Sequence, residues 1–318
     1  MVKATIAIHG GAGAIARASL DAETELRYRR ALRDVIASGQ LLLADGASAL
    51  EVVTEAVRQL EECPLFNAGR GSVFTAAATH ELDACVMEGH TLQAGAVASV
   101  SRVRNPVLAA RAVLQHSPHV LFCGAGAESF AASHGLALVE PGFFSTPERR
   151  AQLTRAQASG QTLLDHDAAA GDPLDPDRKF GTVGAVALDA AGHLAAATST
   201  GGMTNKQPGR IGDSPLPGAG CYASDGVAVS CTGTGEVFIR TLAAYDLDAQ
   251  MRYGGLSLRQ AAARLIDEKI VQLGGSGGLI AIDREGNVVL PFNSEGMYRG
   301  YGVVGDAPRV AIYAEDAQ

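Results

Sequence analysis

Residues 179–202 of the chain have the sequence KFGTVGAVALDAAGHLAAATSTGG. Two short apolar stretches flank Asp189-Ala-Ala-Gly192, and a glycine at that position supplies the positive φ of a hairpin turn. Residues 278–292, GLIAIDREGNVVLPF, repeat this pattern with Asp283 and Gly286. Two such hairpins predict antiparallel sheet rather than a parallel, doubly wound one.

Helical spacing of apolar residues occurs in blocks before and after these hairpins. The predicted helices cover residues 23–39, 48–62, 106–115, 147–157, 236–251 and 257–273. Further short apolar runs predict strands at residues 4–10, 95–102, 119–124 and 226–233. This arrangement favours an α+β fold in which antiparallel sheets pack between layers of helices.

Composition limits the class of protein. The chain has 318 residues, is 47% hydrophobic and carries a net charge of −8, which argues against nucleic acid or an anionic membrane as a partner. It has no apolar run of membrane-spanning length, and the N-terminal MVKATIAIHGG is too short for a signal-peptide core, so we expect a cytoplasmic protein. The five cysteines are scattered without metal-binding spacing, which predicts small buried thiols.

Three motifs resemble catalytic or binding patterns but lack the required context. GGSGG (residues 274–278) matches the G-x-S-x-G nucleophile elbow, yet a helix is predicted before Ser276 and a strand after it, the reverse of the elbow. HGGAGA (residues 9–14) lacks the third spaced glycine of a dinucleotide loop and instead predicts a tight turn that another backbone approaches closely. His80-Glu81 has no second histidine to complete a zinc-binding pair.

The residues before Thr182 suggest a different chemistry. Residues 160–180 are rich in Asp, Pro and Gly and are predicted to form a linker, after which Gly181-Thr182 enters a buried strand. A threonine hydroxyl is a weak nucleophile, but cleavage before it would free an α-amino group with a pKa of about 8 that can serve as its base. On the residues alone, a β-branched residue that only packs in a strand remains the more common explanation for Thr182.

A resemblance to a known family favours the catalytic interpretation. The matching stretches are HGGAG, LFNAGRGSVF, THELDACVMEG, AGAVASVSRVRNPVLAAR, GTVGAVALD, AATSTGGMTNKQPGRIGDSPLPGAGCYA, VSCTGTGEVFIR and GGSGGLIAID. Together they resemble the plant-type (type III) L-asparaginases, or isoaspartyl peptidases, of the N-terminal nucleophile hydrolases. The resemblance implies one αββα four-layer domain over residues 1–318, cleaved between Gly181 and Thr182. The products would be an α chain, 1–181, with a flexible tail from about residue 160, and a β chain, 182–318, which associate as (αβ)2.

The resemblance also implies roles for individual residues. Thr182 would be the nucleophile and, through its own amine, the base, while Thr200 would hydrogen-bond to it. Thr232 and Gly233 would form the oxyanion hole, which stabilises the tetrahedral intermediate.

Substrate binding is implied for the GRIGDSP and TGTGE segments. Arg210 would bind the α-carboxylate and Asp213 the α-ammonium group, a pairing suited to a zwitterion. Gly235 would add a backbone carbonyl to the ammonium site, and Gly233 also lies in the substrate site. Without the resemblance, Arg210 and Asp213 would be interpreted as an ion pair on a surface loop.

Asn67 matches a residue near the cleavage site of the precursor. The same region resembles a loop that binds a structural monovalent cation, usually Na⁺, through main-chain carbonyls; no cofactor is expected for the chemistry itself. The corresponding residues here are Leu60, Glu61, Cys63, Phe66 and Ala68. One departure is TAAATHELD (residues 75–83), where several family members carry charged residues before THELD, so local support of the cation loop is in question.

The resemblance therefore implies hydrolysis of isoaspartyl (β-aspartyl) dipeptides and L-asparagine through a threonyl acyl-enzyme, releasing L-aspartate. A glycosylasparaginase-like hydrolase uses the same threonine chemistry and is one alternative. An uncleaved, inactive relative that acts as a binding or scaffold protein is the other. A denaturing gel distinguishes that scaffold from a self-cleaving enzyme.

Overall fold

A computed structural model describes residues 3–15, 17, 20–159 and 181–316. The predicted linker at 160–180, and with it all of the predicted flexible tail except Gly181, lies outside these residues. The strands are β1 (Thr5–Gly13), β2 (Leu82–Glu88), β3 (Ala94–Val100), β4 (Leu121–Cys123), β5 (Val183–Leu188), β6 (Leu194–Thr200), β7 (Cys221–Ala223), β8 (Val227–Gly233), β9 (Gly277–Asp283), β10 (Val288–Val289), β11 (Gly296–Val303) and β12 (Arg309–Tyr313). The helices are α1 (Ala22–Ala44), α2 (Ala49–Glu62), α3 (Pro106–His116), α4 (Gly124–Ser133), α5 (Pro147–Ser159), α6 (Gly235–Thr241), α7 (Ala243–Arg252) and α8 (Leu258–Ala263). A 3₁₀ turn covers Pro141–Phe144, and a π-helical segment, Arg264–Ile270, continues α8.

The strands form two sheets. The larger has the order β12-β11-β1-β5-β6-β2-β3-β4, and the smaller has the order β10-β9-β8-β7. Every pair of neighbouring strands is antiparallel except β3 and β4, which are parallel. The prediction of mainly antiparallel sheet is therefore confirmed.

Alternating side chains divide the core into layers. On β5, Val183 and Ala185 face the helices α1–α3, whereas Val186 faces the space between the two sheets. The outer face of the small sheet packs against α6–α8, with Val229 and Leu265 in that cluster. This is the four-layer αββα arrangement that the sequence resemblance implied.

Both predicted hairpins are present, and they use the same turn chemistry. The Asp189 carboxylate accepts hydrogen bonds from two backbone N–H groups of its turn, and Asp283 does the same one hairpin later. Gly192 and Gly286 take φ values of +85° and +81°. These turns bring β5 against β6 and β9 against β10.

Two predicted helices differ from the observed ones. Leu242 takes a left-handed conformation (φ +49°) and divides the predicted helix 236–251 into α6 and α7. The predicted helix 257–273 begins with a Ser257/Gln260 capping box, as helix chemistry favours, but changes to π-helix at Arg264.

The remaining expectations concern the cysteines and membrane-spanning helices. Cys85, Cys221 and Cys231 are buried, Cys63 is half-buried, and Cys123 is exposed, so the prediction of buried thiols is wrong for Cys123. Among the described residues, no helix is both long and apolar enough to cross a membrane.

Candidate active site

Thr182 lies where the chain enters β5, near the middle of the large sheet. Its side chain is almost buried, with 8% of the residue exposed. Its Oγ donates a hydrogen bond to Thr200 Oγ at 3.2 Å and lies 3.3 Å from Ser214 Oγ. The β5–β6 register pairs Val183 with Ser199, and this places Thr182 beside Thr200 at the end of the hairpin.

The peptide before Thr182 is packed between the backbone of Gly11 and the side chain of Thr232. A Cβ at Gly11, which has φ +107°, would lie 2.5 Å from the Gly181 nitrogen. A Cβ at Gly181 would lie 2.4 Å from Thr232 Oγ. The HGGAGA segment is thus the site of close backbone approach that the sequence predicted, although it forms a bulge within β1 rather than a separate turn.

Thr232 and Gly233 reach the same point from the small sheet. They end β8, and Thr232 Oγ accepts a hydrogen bond from the Ala12 N–H at 3.3 Å. Gly233 lines a cavity with Thr182. The ends of β5 and β8, one from each sheet, therefore bring a nucleophile candidate and oxyanion-hole candidates together.

The same cavity contains Arg210 and Asp213. Its lining residues are Gly181, Thr182, Thr200, Gly202, Met203, Arg210, Gly212, Asp213, Ser214 and Gly233. A Cβ on Gly235, at the first position of α6, would lie 2.8 Å from Arg210 Nη2 and 3.0 Å from Asp213 Oδ1. Gly235 therefore lies beside both charged groups, and its lack of a side chain leaves room for them.

Asp213 is a buried carboxyl group with an unused acceptor. Only 3% of the residue is exposed, and Oδ2 has no hydrogen-bond partner among the described residues. Burial raises the pKa of Asp213 to about 7, although the positive charge of Arg210 acts in the opposite direction.

Arg210 is already partly engaged. Its Nε and Nη2 donate to the two carboxylate oxygens of Glu236 at 2.9 and 3.0 Å. The edge of the guanidinium formed by Nε and Nη2 therefore faces Glu236, which leaves the Nη1 and Nη2 end for an external carboxylate. A Cβ on Gly212 would lie 2.9 Å from Nη1, so glycine at this position keeps that end open.

Asn67 supports the neighbouring backbone rather than contacting Thr182. Its Nδ2 donates to Gly202 O at 2.7 Å, and its Oδ1 accepts from Val73 N at 3.0 Å. The Gly202 N–H in turn donates to Thr200 Oγ at 2.9 Å. Asn67 is thus connected to the nucleophile candidate through Gly202 and Thr200.

The predicted cation loop begins in the last turn of α2 and continues beyond it. The carbonyls of Leu60, Glu61 and Cys63 each accept one backbone hydrogen bond, which leaves each of them a second lone pair. The last turn of α2 has no basic residue, although a helix C-terminus favours positive charge. A Cβ on Gly71 would lie 2.5 Å from Pro64 O and 2.9 Å from Phe66 O, so only glycine fits beside these carbonyls. The carbonyls of Leu60, Glu61 and Cys63 therefore each retain acceptor capacity in this loop.

The other sequence motifs lie outside this site or have structural roles. Ser276 joins the π-helical segment to β9 and hydrogen-bonds Thr234, as expected for a helix-to-strand turn. His80 is buried and contacts the hydroxyls of Ser72 and Ser145. In the part of the chain that the structure describes, no cluster of three His, Cys, Asp or Glu residues could hold a metal ion.

The TAAAT turn is held without charged side chains. The hydroxyls of Thr75 and Thr79 are 2.7 Å apart, and Ala76 N donates to Lys206 O at 2.8 Å. Ala78 has φ +57°. These contacts order the turn that leads into the buried His80.

Comparison with known proteins identifies the family of the chain. The asparaginase family profile matches residues 2–312. The chain belongs to the asparaginase family. It is 67% identical to the isoaspartyl peptidase of Salmonella typhimurium, covering 99% of this chain and all of that protein, and 65% identical to the isoaspartyl peptidase of Escherichia coli, covering 99% and 98%. A probable isoaspartyl peptidase/L-asparaginase 2 of Arabidopsis thaliana is 41% identical, with 97% and 98% covered.

Sequence reasoning missed two residues of this asparaginase-family site. Ser214 contacts the Thr182 hydroxyl, and Glu236 binds Arg210. Each directly follows a predicted site residue, Asp213 and Gly235 respectively. Adjacency was the only available signal, because the contacts themselves depend on how the loops fold.

Proposed function

We propose that the protein is a self-activating amidohydrolase that cleaves isoaspartyl dipeptides and L-asparagine. The main support is that one small cavity contains the Thr182 hydroxyl, directly after Gly181, together with Arg210 and Asp213. Full-length similarity to isoaspartyl peptidases supports the same substrates.

Maturation would begin at the Gly181–Thr182 peptide bond. Thr182 Oγ attacks the Gly181 carbonyl carbon, the C–N bond breaks, and the acyl group moves from nitrogen to oxygen as an ester. Water then hydrolyses that ester, which leaves a carboxylate on Gly181 and a free α-amino group on Thr182. The proton of the Thr182 hydroxyl is transferred to the departing nitrogen, so the α-amino group is a product of this step and can act as a base only in later turnover.

Turnover would use the same atoms on an external substrate. The amine accepts the proton of Thr182 Oγ as this oxygen attacks the side-chain carbonyl of the substrate, and Thr200 and Ser214 hold the hydroxyl in place. The Thr232 hydroxyl and the Gly233 N–H would stabilise the oxyanion. Ammonia or an amino acid leaves, and water hydrolyses the aspartyl ester to release L-aspartate.

Substrate recognition would depend on two fixed charges. The free end of Arg210 binds the α-carboxylate, while Asp213 and the Gly235 carbonyl bind the α-ammonium group. Glu236 holds the guanidinium by the adjacent edge, formed by Nε and Nη2. Such a pair favours a free, zwitterionic aspartyl unit over one that is blocked at either end.

A monovalent cation, Na⁺ by the resemblance, would have a structural role in this proposal. The carbonyls of Leu60, Glu61, Cys63, Phe66 and Ala68 would hold it and fix the loop that carries Asn67. Self-association into (αβ)2 is part of the same proposal.

The first experiment tests self-cleavage by denaturing gel. In proportion to length, the 32.7 kDa chain would give fragments of about 19 and about 14 kDa. Thr182→Ala should remain a single full-length band without activity, and cleavage of that variant in the absence of added protease would exclude Thr182 as the nucleophile.

The second experiment tests substrate recognition by kcat/KM for L-asparagine, N-acetyl-asparagine, asparagine amide and an isoaspartyl dipeptide. Loss of one charged partner costs roughly 1.5–3 kcal/mol, so capped substrates should be about ten- to a hundredfold poorer. Arg210→Lys should be nearly as impaired as Arg210→Ala, because lysine lacks the planar fork. Equal rates on free and capped compounds would refute the assigned roles of Arg210 and Asp213.

A further inference from the structure

A second, larger cavity lies away from the Thr182 site. Its volume is about 570 Å³, within the range of small-molecule sites, and it shares no lining residue with the cavity around Thr182. It lies where β10, at the edge of the small sheet, approaches β11 and the edge strand β12 of the large sheet, beside α8.

Arg299 is the unusual residue in its wall. Along β11, Tyr298 faces the helical layer and stacks on Tyr28, so Arg299 faces the opposite side, between the sheets. Only 1% of Arg299 is exposed, although arginine rarely lies buried without an acidic partner.

The contacts of Arg299 are all with neutral groups. Its Nη1 and Nη2 donate to the carbonyls of Met297 and Tyr313 at 3.1 and 3.0 Å, and its guanidinium carbon lies 4.6 Å from the centre of the Phe292 ring. Among the described residues, no carboxylate forms an ion pair with it. Burial lowers the pKa of Arg299 to about 10, although the negative charge of Asp316 acts in the opposite direction, and the group remains charged at neutral pH. A buried cation whose hydrogen bonds all go to neutral carbonyls is unfavourable, and a bound anion would relieve that cost.

The rest of the wall is positively charged and apolar. Arg259 and Arg309 also line the cavity, and within the described part of the chain neither has a carboxylate at ion-pair distance. Asp267 is the one acidic residue among the lining side chains, and burial, with the charge of Glu268, raises its pKa. Three arginines against one aspartate form a cationic region on a chain whose net charge is −8.

Aliphatic side chains complete the wall. Val288, Val289, Leu290 and Val310 line the cavity, and each of them is partly exposed. They would cover a hydrocarbon chain but offer no hydrogen bond to a second polar group. Inorganic phosphate would satisfy the arginines and leave this apolar surface in contact with water.

We propose that this cavity binds a small monocarboxylate with an apolar body. The carboxylate lies among Arg299, Arg309 and Arg259, and the hydrocarbon part packs on the β10 and β12 side chains. The site is independent of the Thr182 chemistry and of the proposed hydrolysis.

Octanoate and its neutral counterpart octanamide are suitable probes for calorimetric titration of the mature wild-type protein. Saturating L-aspartate is included to occupy the Arg210 cavity. Octanoate should bind at one site per αβ unit, and octanamide should bind at least about tenfold more weakly because it lacks the charge.

Variants locate the site. Arg259 and Arg309 are exposed, so their substitution should leave the fold intact. Arg259→Gln and Arg309→Gln should each weaken octanoate binding by about threefold to tenfold and leave self-cleavage and asparagine hydrolysis unchanged. Ala263→Phe, at the exposed C-terminal end of α8, should block binding by filling the cavity. Arg284→Gln is the matched control, since Arg284 is exposed, pairs with Glu285 and does not line the cavity. Arg299→Met should abolish binding, and the exposed variants keep the proposal testable if this variant does not fold.

Several results would overturn the proposal. The proposal is wrong if octanoate does not bind saturably, if octanamide binds as tightly as octanoate, or if L-aspartate displaces octanoate. Unchanged affinity in both Arg259→Gln and Arg309→Gln would also refute it. A second copy of the chain covering the cavity would give the first of these results.

Discussion

Asp213→Asn should stabilise the folded protein while it impairs substrate binding. The folded protein holds the pKa of Asp213 at about 7, against 3.8 for the unperturbed group, because the carboxyl is buried. A raised pKa means that the folded state binds the proton more tightly than the unfolded chain does. The folded state therefore has its full stability below pH 3.8 and loses part of it as the pH rises towards 7.

The size of this effect follows from the pKa difference. At about 1.4 kcal/mol per pKa unit, the raised pKa lowers the free energy of unfolding by about 4 kcal/mol at pH 8 and by about 1 kcal/mol at pH 4.5, relative to its value at low pH. Asparagine has nearly the shape of the protonated carboxyl and no charge. The variant should recover most of that free energy at pH 8 and little of it at pH 4.5.

The assay is urea unfolding at both pH values in a Thr182→Ala background, so that both proteins remain single chains. Asp283→Asn provides a control, because the buried Asp283 carboxylate accepts three hydrogen bonds and its replacement should destabilise the protein. In the Thr182-containing enzyme, Asp213→Asn should lower kcat/KM for asparagine by about ten- to a hundredfold. An equal change in stability at the two pH values, or a loss at pH 8, would refute the burial argument.

The remaining predictions concern the same cavity. kcat/KM for asparagine should rise with pH through about 7, as Asp213 ionises and can bind an ammonium group, and this step should be missing from the pH profile of Asp213→Asn. Glu236→Gln should lower kcat/KM about tenfold, mainly through KM, because Arg210 loses a charged partner that orients it; self-cleavage on a gel should be unchanged, and an unaltered KM would contradict this role. Ser214→Ala should slow self-cleavage and turnover by about threefold to tenfold, since it removes a hydroxyl 3.3 Å from the Thr182 oxygen; a wild-type time course would show that the contact is dispensable.

Local sequence patterns were sufficient for the elements whose chemistry is local. The Asp-x-x-Gly turns at Asp189 and Asp283 specify hairpins through their own side-chain hydrogen bonds, and the Ser257/Gln260 pair specifies a helix start in the same way. The strands β2, β7, β11 and β12 were not predicted. β11 contains Gly, Arg and Tyr in place of a simple apolar alternation, and its strand conformation depends on pairing with β1 and β12.

For the site, the sequence by itself determined the residue types: a threonine after a glycine, an Arg and an Asp in one loop, and a Thr-Gly pair ending a strand. Only the tertiary structure decided that strands from different sheets bring Thr182, Thr232 and Gly11 around one peptide bond. It also decided that Glu236 would hold Arg210 and that Asp213 would keep an unpaired oxygen. The physical reason is that hydrogen bonds and desolvation depend on distances across the fold, and residues far apart in sequence carry no local pattern that encodes those distances.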